Sequence, residues 1–155
     1  MNRFSEFGFA VALLISFSTL VACNQQPTES SAGTGNSPAR NYTEAQLANG
    51  QRVFASHCAK CHGANAEGDA TWRKMGDDGK YPPPPLDGSG HAWHHSRAVL
   101  KNVIENGSKP DQGNMPGWKN KLSNEEIENV ISWFQSKWSD QVYDAWYEMQ
   151  QRGKN

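Results

Sequence analysis

The stretch that most constrains this chain is Cys58-Ala59-Lys60-Cys61-His62. Two thiols separated by two residues, followed at once by an imidazole, suit a short list of chemistries. A structural zinc site wants four thiolate or imidazole ligands, usually as two separated pairs. The chain has three cysteines in all, and the third, Cys23, lies far upstream. A second C-x-x-C pair is missing, and His94-His95 are poorly spaced for the task. A dithiol redox pair calls for a surrounding βαβ pattern, which the sequence lacks. Covalent haem attachment satisfies every part of the stretch. Each thiol adds to one vinyl group of the haem edge, and His62 is then held against the iron as proximal ligand.

Residues 1–22 read as a lipoprotein signal peptide. Arg3 supplies a thin positive start, and from Phe7 to Ala22 the run is apolar or small, too short for a membrane span. It ends Leu20-Val21-Ala22-Cys23, small residues before a cysteine, which resembles a bacterial lipoprotein box with Cys23 as the acylated mature N-terminus. An unpaired thiol in an exported chain is otherwise unexplained. Several acyl chains together make a stable anchor, because one alone is marginal. Asn24 is not the aspartate that resembles inner-membrane retention signals, which points to the outer membrane where a cell has two. With Cys23, residues up to 41 form a polar linker rich in Ser, Gly, Pro and Asn. A segment of that kind spans about 20–25 Å as a flexible coil and serves as a tether.

The folded part is expected over residues 42–138. Thr43-Glu44-Ala45-Gln46 is a capping box, and the helix behind it carries Leu47, Gly50, Val53 and Phe54 into Cys58. Gly50 costs close to 1 kcal/mol relative to alanine inside a helix, so a close helix crossing is expected there. A long irregular stretch then runs to His95 through Pro82-Pro83-Pro84-Pro85, which cannot be helix interior. So long a loop needs a surface to pack on, and a haem face provides one. Ser96 caps a second helix with Val99, Leu100, Val103 and Ile104 on one side and Gly107 past its end. Ser123-Asn124-Glu125-Glu126 is another capping box, starting a helix with an apolar stripe of Ile127, Val130, Ile131, Phe134 and Trp138. Residues 139–155 form an amphipathic extension carrying Tyr143, Trp146 and Met149, suited to packing on the domain or docking a partner. No convincing alternating strand occurs, so the fold class is all-α: three to five helices and long loops around one covalent haem.

Charge is nearly balanced, with 15 Lys+Arg against 16 Asp+Glu, so nothing suggests nucleic-acid binding, which normally shows a basic excess. Six tryptophans are unusual in 155 residues, and a large covalent cofactor gives such rings apolar surface to pack on.

The sixth iron position has several candidates: Met75, Met115, Met149, His57, His91, His94 and His95. Met115 stands in a loop braced by Gly113, Pro116 and Gly117, where backbone approaches a flat ligand and is then fixed. Met149 lies in a patterned helix and Met75 in a charged stretch. His91, His94 and His95 cluster ahead of Ser96, and His57 directly precedes Cys58, badly placed for the opposite face.

Residues 42–138 resemble a class I c-type cytochrome of the small bacterial kind. The matching pieces are Gly50-x-x-x-Phe54-x-x-x-Cys58-x-x-Cys61-His62-Gly63, the Pro85-Leu86 pair, Asn114-Met115-Pro116, and Val130-Ile131-Ser132-Trp133. The resemblance implies one covalent haem c, with Cys58, Cys61, His62, Met115, Pro85 and Leu86 around it and His62 and Met115 on the metal. It implies that Trp133 backs a helix crossing at Gly50, that a proline carbonyl at Pro85 accepts the His62 Nδ1–H, and that Leu86 packs on the haem. Function follows as an expectation: a membrane-tethered one-electron carrier between redox protein partners, extracytoplasmic or periplasmic, and not an enzyme. The alternative is a haem enzyme or ligand sensor with a labile Met115. The extended 64–95 loop and the tail beyond Trp138 depart from the family pattern.

Overall fold

A computed structural model of the chain describes residues 39–153. The signal segment, Cys23 and the linker as far as residue 38 lie outside the described residues. Five α-helices follow one another: α1 (Glu44–His57), α2 (Ala59–His62), α3 (Arg97–Asn106), α4 (Asn124–Ser136) and α5 (Asp140–Arg152), with a 3-10 turn at Ala92–His94. Among the described residues there is no strand.

Each long helix starts where a short oxygen-bearing side chain satisfies orphan amides of the first turn. Thr43 Oγ1 accepts from Gln46 N, and the Gln46 side chain accepts from Thr43 N at 2.9 Å, closing a capping box on α1. Ser123 and Glu126 do the same for α4, while Ser96 and Ser139 cap α3 and α5. Gly107, at φ 84°, ends α3 in a conformation that costs a side chain dearly.

The core is the crossing of α1 over α4. A Cβ at Gly50 would collide with the Asn129 carbonyl oxygen and stand 2.8 Å from Trp133 Cβ. Only glycine lets the two backbones meet this closely. One turn on, the Phe54 ring lies 4.4 Å from that of Trp133, and Val53, Phe54, Ile127, Val130, Ile131 and Phe134 are buried around them. Helix α3 leans on α4 through Leu100 and Ile104. Val99 and Val103, expected on the same buried side, are instead exposed. The four residues span more arc than one helix contact covers.

The tail packs on the domain. Tyr143 and Trp146 of α5 are buried, and Trp146 Nε1 donates to the His95 carbonyl at 3.0 Å. Arg40, which the sequence places in the linker, already belongs to the fold. Its guanidinium donates to the Trp138 carbonyl at 2.7 Å, pairs with Asp140 at 3.0 Å and covers the Tyr143 ring. A second arginine, Arg97, ties three helices: it donates to Glu128, Ser132 and Gln135 of α4 from the first turn of α3, and its amide reaches Gln150 of α5.

The stretch from Gly63 to His95 is held by its own main chain. The carbonyl of Ala66, fully buried at φ 68°, accepts from Leu86 N and Asp87 N. Gly68 N donates to the His62 carbonyl at 2.7 Å and Asp69 N to Pro83 at 2.9 Å. Trp138 Nε1 closes over the proline run by donating to the Leu86 carbonyl at 2.8 Å.

Candidate haem site

The two thiols come from the junction of α1 and α2. Cys58 N donates to Phe54 O, and Cys61 N and His62 N both turn back to Cys58 O at 3.1 and 2.9 Å. One helical turn therefore separates Cys58 from Cys61 and sets both on the same side. Both are free thiols, Cys58 half-buried and Cys61 exposed. Burial, helped by the neighbouring Cys61, pushes the Cys58 thiol up to about 11. A neutral thiol or thioether suits that position and a thiolate does not.

His62 is buried, and its Nδ1 lies 2.9 Å from the Pro84 carbonyl oxygen. A carbonyl only accepts, so Nδ1 carries the proton and Nε2 keeps the free lone pair a metal needs. Burial holds the ring below the usual imidazole range, and the Pro84 bond offsets only part of this. The imidazole is thus neutral and fixed in tautomer.

Pro84 corrects the sequence reading, which gave this bond to Pro85. The Pro85 carbonyl is turned the other way, against Gly90, where a Cβ would strike its oxygen. Pro85 itself is buried, and Leu86 packs half-buried on the core with its amide on Ala66 and its carbonyl on Trp138.

Met115 is half-buried against the core in the loop between α3 and α4. Its amide donates to Ser108 Oγ at 3.2 Å and its carbonyl accepts from Ser108 N at 3.1 Å, locking it to the end of α3. Gly107 is needed here too, since a Cβ there would hit the Met115 carbonyl. Of the rival positions, Met75 is 56% exposed, and Met149, on α5, packs against the core. His91 stacks on Trp72 and meets the edge of His95, His94 lies on Trp93, and His57 lies against Trp118.

Val99 and Val103 stand one turn apart on α3, the helix whose end holds Met115, and both are exposed, as is Tyr81. Exposed apolar side chains of this size invite a flat apolar group to cover them. Paired thiols, an oriented neutral imidazole, a loop thioether and an uncovered apolar stripe together fit a haem. Pro84, Ser108 and the Asp78–Lys80–Asn114 contacts beside Met115 were not singled out from sequence. The nearest signal for Pro84 was the proline carbonyl that the family resemblance implied one residue later, at Pro85.

Comparison with known proteins agrees. The family described as "Cytochrome C oxidase, cbb3-type, subunit III" matches residues 45–134. A cytochrome c6 from Synechocystis sp. is 33% identical over 104 residues, covering 66% of this chain and 71% of the relative. No solved structure matches the chain significantly. Arg40 and α5 lie outside the family match. With an all-α fold, one C-x-x-C-H segment and these relatives, the chain belongs to the class I c-type cytochromes, electron-transfer proteins rather than enzymes, with covalently bound haem c as cofactor.

Proposed function

We propose that this cytochrome is a lipid-tethered one-electron carrier outside the cytoplasm, with haem joined to Cys58 and Cys61 and ligated by His62 and Met115. The observation that carries this reading is the buried His62 imidazole, its proton committed to Pro84 and its Nε2 free, on the same helical turn as both thiols. When bound, haem c supplies an iron that changes oxidation state by a single electron. The chain's own residues hold it still. Cys58 and Cys61 fix the macrocycle edge, Pro84 fixes the rotation of the His62 ring, and Ser108 fixes the backbone of Met115. A neutral thioether opposite imidazole raises the potential relative to two imidazoles. His62 and Met115, each braced by the main chain around it, would hold the bound group with little rearrangement between its two oxidation states. No acid–base pair or nucleophile is required for that task.

Redox proteins are the donor and acceptor, in keeping with the cytochrome c6 relative. The tether is Cys23, with the polar residues after it as spacer. No helix among the described residues is long and apolar enough to cross a membrane.

Absorption spectroscopy tests the ligation. The ferric protein should show the weak far-red sulfur-to-iron band, and the ferrous protein should resist carbon monoxide. Met115→Ala should abolish the band, lower the potential and admit carbon monoxide. An unchanged spectrum and potential in Met115→Ala would put the sixth ligand elsewhere. Rapid carbon monoxide binding by the native ferrous protein would favour a ligand-binding role. Acid–acetone extraction should leave the haem on the polypeptide.

A further inference from the structure

The turn at residues 76–80 belongs to the loop that departs from the family pattern, yet it is tied to the segment that presents Met115. Its own geometry is preformed. Gly76 N donates to Lys80 O at 2.8 Å, Gly79 N to Gly76 O at 3.0 Å, and Lys80 N to Asp78 Oδ1 at 3.0 Å. From this turn, Lys80 Nζ donates to Asn114 Oδ1 at 2.6 Å, and Asp78 Oδ2 accepts from Asn114 Nδ2 at 2.9 Å. Both ends of the Asn114 amide are thus used, one as acceptor and one as donor, so its orientation is fixed. A main-chain bond from Tyr81 N to Gln112 O at 3.1 Å runs alongside.

We propose that Asp78, Lys80 and Asn114 form a clip that positions the axial methionine, making all three positioning residues for the electron-transfer centre. The inference rests on Met115 being the sixth ligand. Met115 is held on one side by Ser108 at the end of α3. The main-chain bonds from Tyr81 N to Gln112 O and from Trp118 N to Ile104 O hold the chain on either side, but Gly113 and Gly117 leave the backbone between them freedom to turn about the Ser108 contact. Asn114, adjacent to Met115, supplies the second hold. Position 78 requires a carboxylate. An amide there would present a donor to Asn114 Nδ2 or to Lys80 N, and turning the Asn114 amide round would set its NH₂ against the Lys80 ammonium. The three side chains act as one circuit, so losing any member loosens the remaining two.

The circuit sits at the surface, where such bonds are individually weak. Its loss should therefore leave haem attachment and global folding intact and raise the fraction of molecules with Met115 off the iron. The test is the limiting rate at which cyanide binds the full-length ferric holoprotein, which reports loop opening, together with the intensity of the far-red band. Lys80→Met and Asp78→Asn should each raise that rate by about fivefold, the scale of one or two surface hydrogen bonds. Lys80→Arg, which keeps a donor, should restore most of it. Lys101→Met removes a comparable surface cation on α3 and should leave the rate unchanged. Equal rates in the native protein, Lys80→Met and Asp78→Asn, with the band intact, would overturn the clip. If instead the native protein lacks the band and Met115→Ala changes nothing, the ligand assignment fails, and the clip fails with it. A rise in Lys101→Met as large as in Lys80→Met would reduce the effect to general surface charge and also overturn the proposal.

Discussion

Replacing Gly50 by alanine sets two effects of known size against each other. Alanine in a helix interior is favoured over glycine by about 1 kcal/mol, so an isolated α1 would gain from the change. In the folded protein the new methyl points at the α4 main chain. It would collide with the Asn129 carbonyl oxygen, with the carbonyl carbon at 2.7 Å and Trp133 Cβ at 2.8 Å. None of these atoms is the far end of a flexible side chain, so relief requires the helices to part. A gap of 0.5–1 Å forfeits roughly a quarter to a half of each contact's dispersion energy. The contacts at risk are those of Val53, Phe54, Val130 and Ile131, all 4% exposed or less. Overpacking of this kind costs about 1–3 kcal/mol, more where both sides are rigid. With rigid main chain on both sides the cost lies at about 3 kcal/mol. Less the helix gain, the net expectation is a loss of about 2 kcal/mol, or a melting temperature lower by on the order of 10 °C. Thermal and urea melts of the holoprotein measure it. Ala55→Gly, at an exposed position on α1, calibrates the propensity contribution separately and should cost about 1 kcal/mol. A Gly50→Ala protein more stable than the parent by about 1 kcal/mol would show that the crossing has room for a methyl and refute the argument.

Arg97→Met should cost about 2 kcal/mol in urea melts, because it strips a side-chain partner from the buried Gln135 and breaks the bonds to Glu128 and Ser132. Trp146→Ala should cost about 3–5 kcal/mol by the same measurement while leaving the haem spectrum unchanged, since its indole fills the α5 contact and bonds the His95 carbonyl. On acidification, hydrogen bonds hold Asp69, Asp78 and Glu126 below the usual carboxylate range. Their contribution is complete above the unfolded values of 3.8–4.5 and is lost as pH falls through the lower folded ones, so melts against pH should turn downward there. Cys23→Ser should abolish acylation by mass spectrometry and release the protein from membranes, whereas an unmodified native Cys23 would remove the tether from the proposal.

The helices were legible because their boundaries are written in local chemistry. Thr43 with Gln46, Ser123 with Glu126, Ser96 and Gly107 all end or begin helices where their side chains or φ require it. Gly50 was legible for a different reason: a residue that weakens its own helix implies a neighbour too close for a Cβ. The choice between Pro84 and Pro85 was not legible, since four successive prolines share one composition and differ only in which way each carbonyl faces. Gly68 and Gly90 lie against these two prolines so closely that a Cβ on either would strike their main chain. The anchoring of α5 was half legible. Its aromatic spacing announced a buried face, but the partners are Arg40 and His95, which are distant in sequence.

Under the proposed ligation, the polarity of the site bears directly on its redox poise. His62 donates its Nδ1 proton to a neutral main-chain carbonyl, where a carboxylate would have drawn the ring towards imidazolate. The sulfur of Met115 is neutral as well, so neither axial ligand brings a charge to the metal. A haem held by these two neutral groups would be neutral overall at its centre when ferrous and carry one net positive charge when ferric. Burial penalises the charged form, as it already does at His62, whose protonation is disfavoured chiefly by desolvation. Ligand neutrality and desolvation therefore act in the same direction, both stabilising the ferrous state. The exposed Cys61 side of the attachment turn limits the effect, because solvent there shields part of the ferric charge. Under this ligation the neutral Pro84 carbonyl, which accepts the His62 Nδ1–H, and the burial of His62 would therefore both favour the ferrous state, one through the ligand and one through the surrounding dielectric.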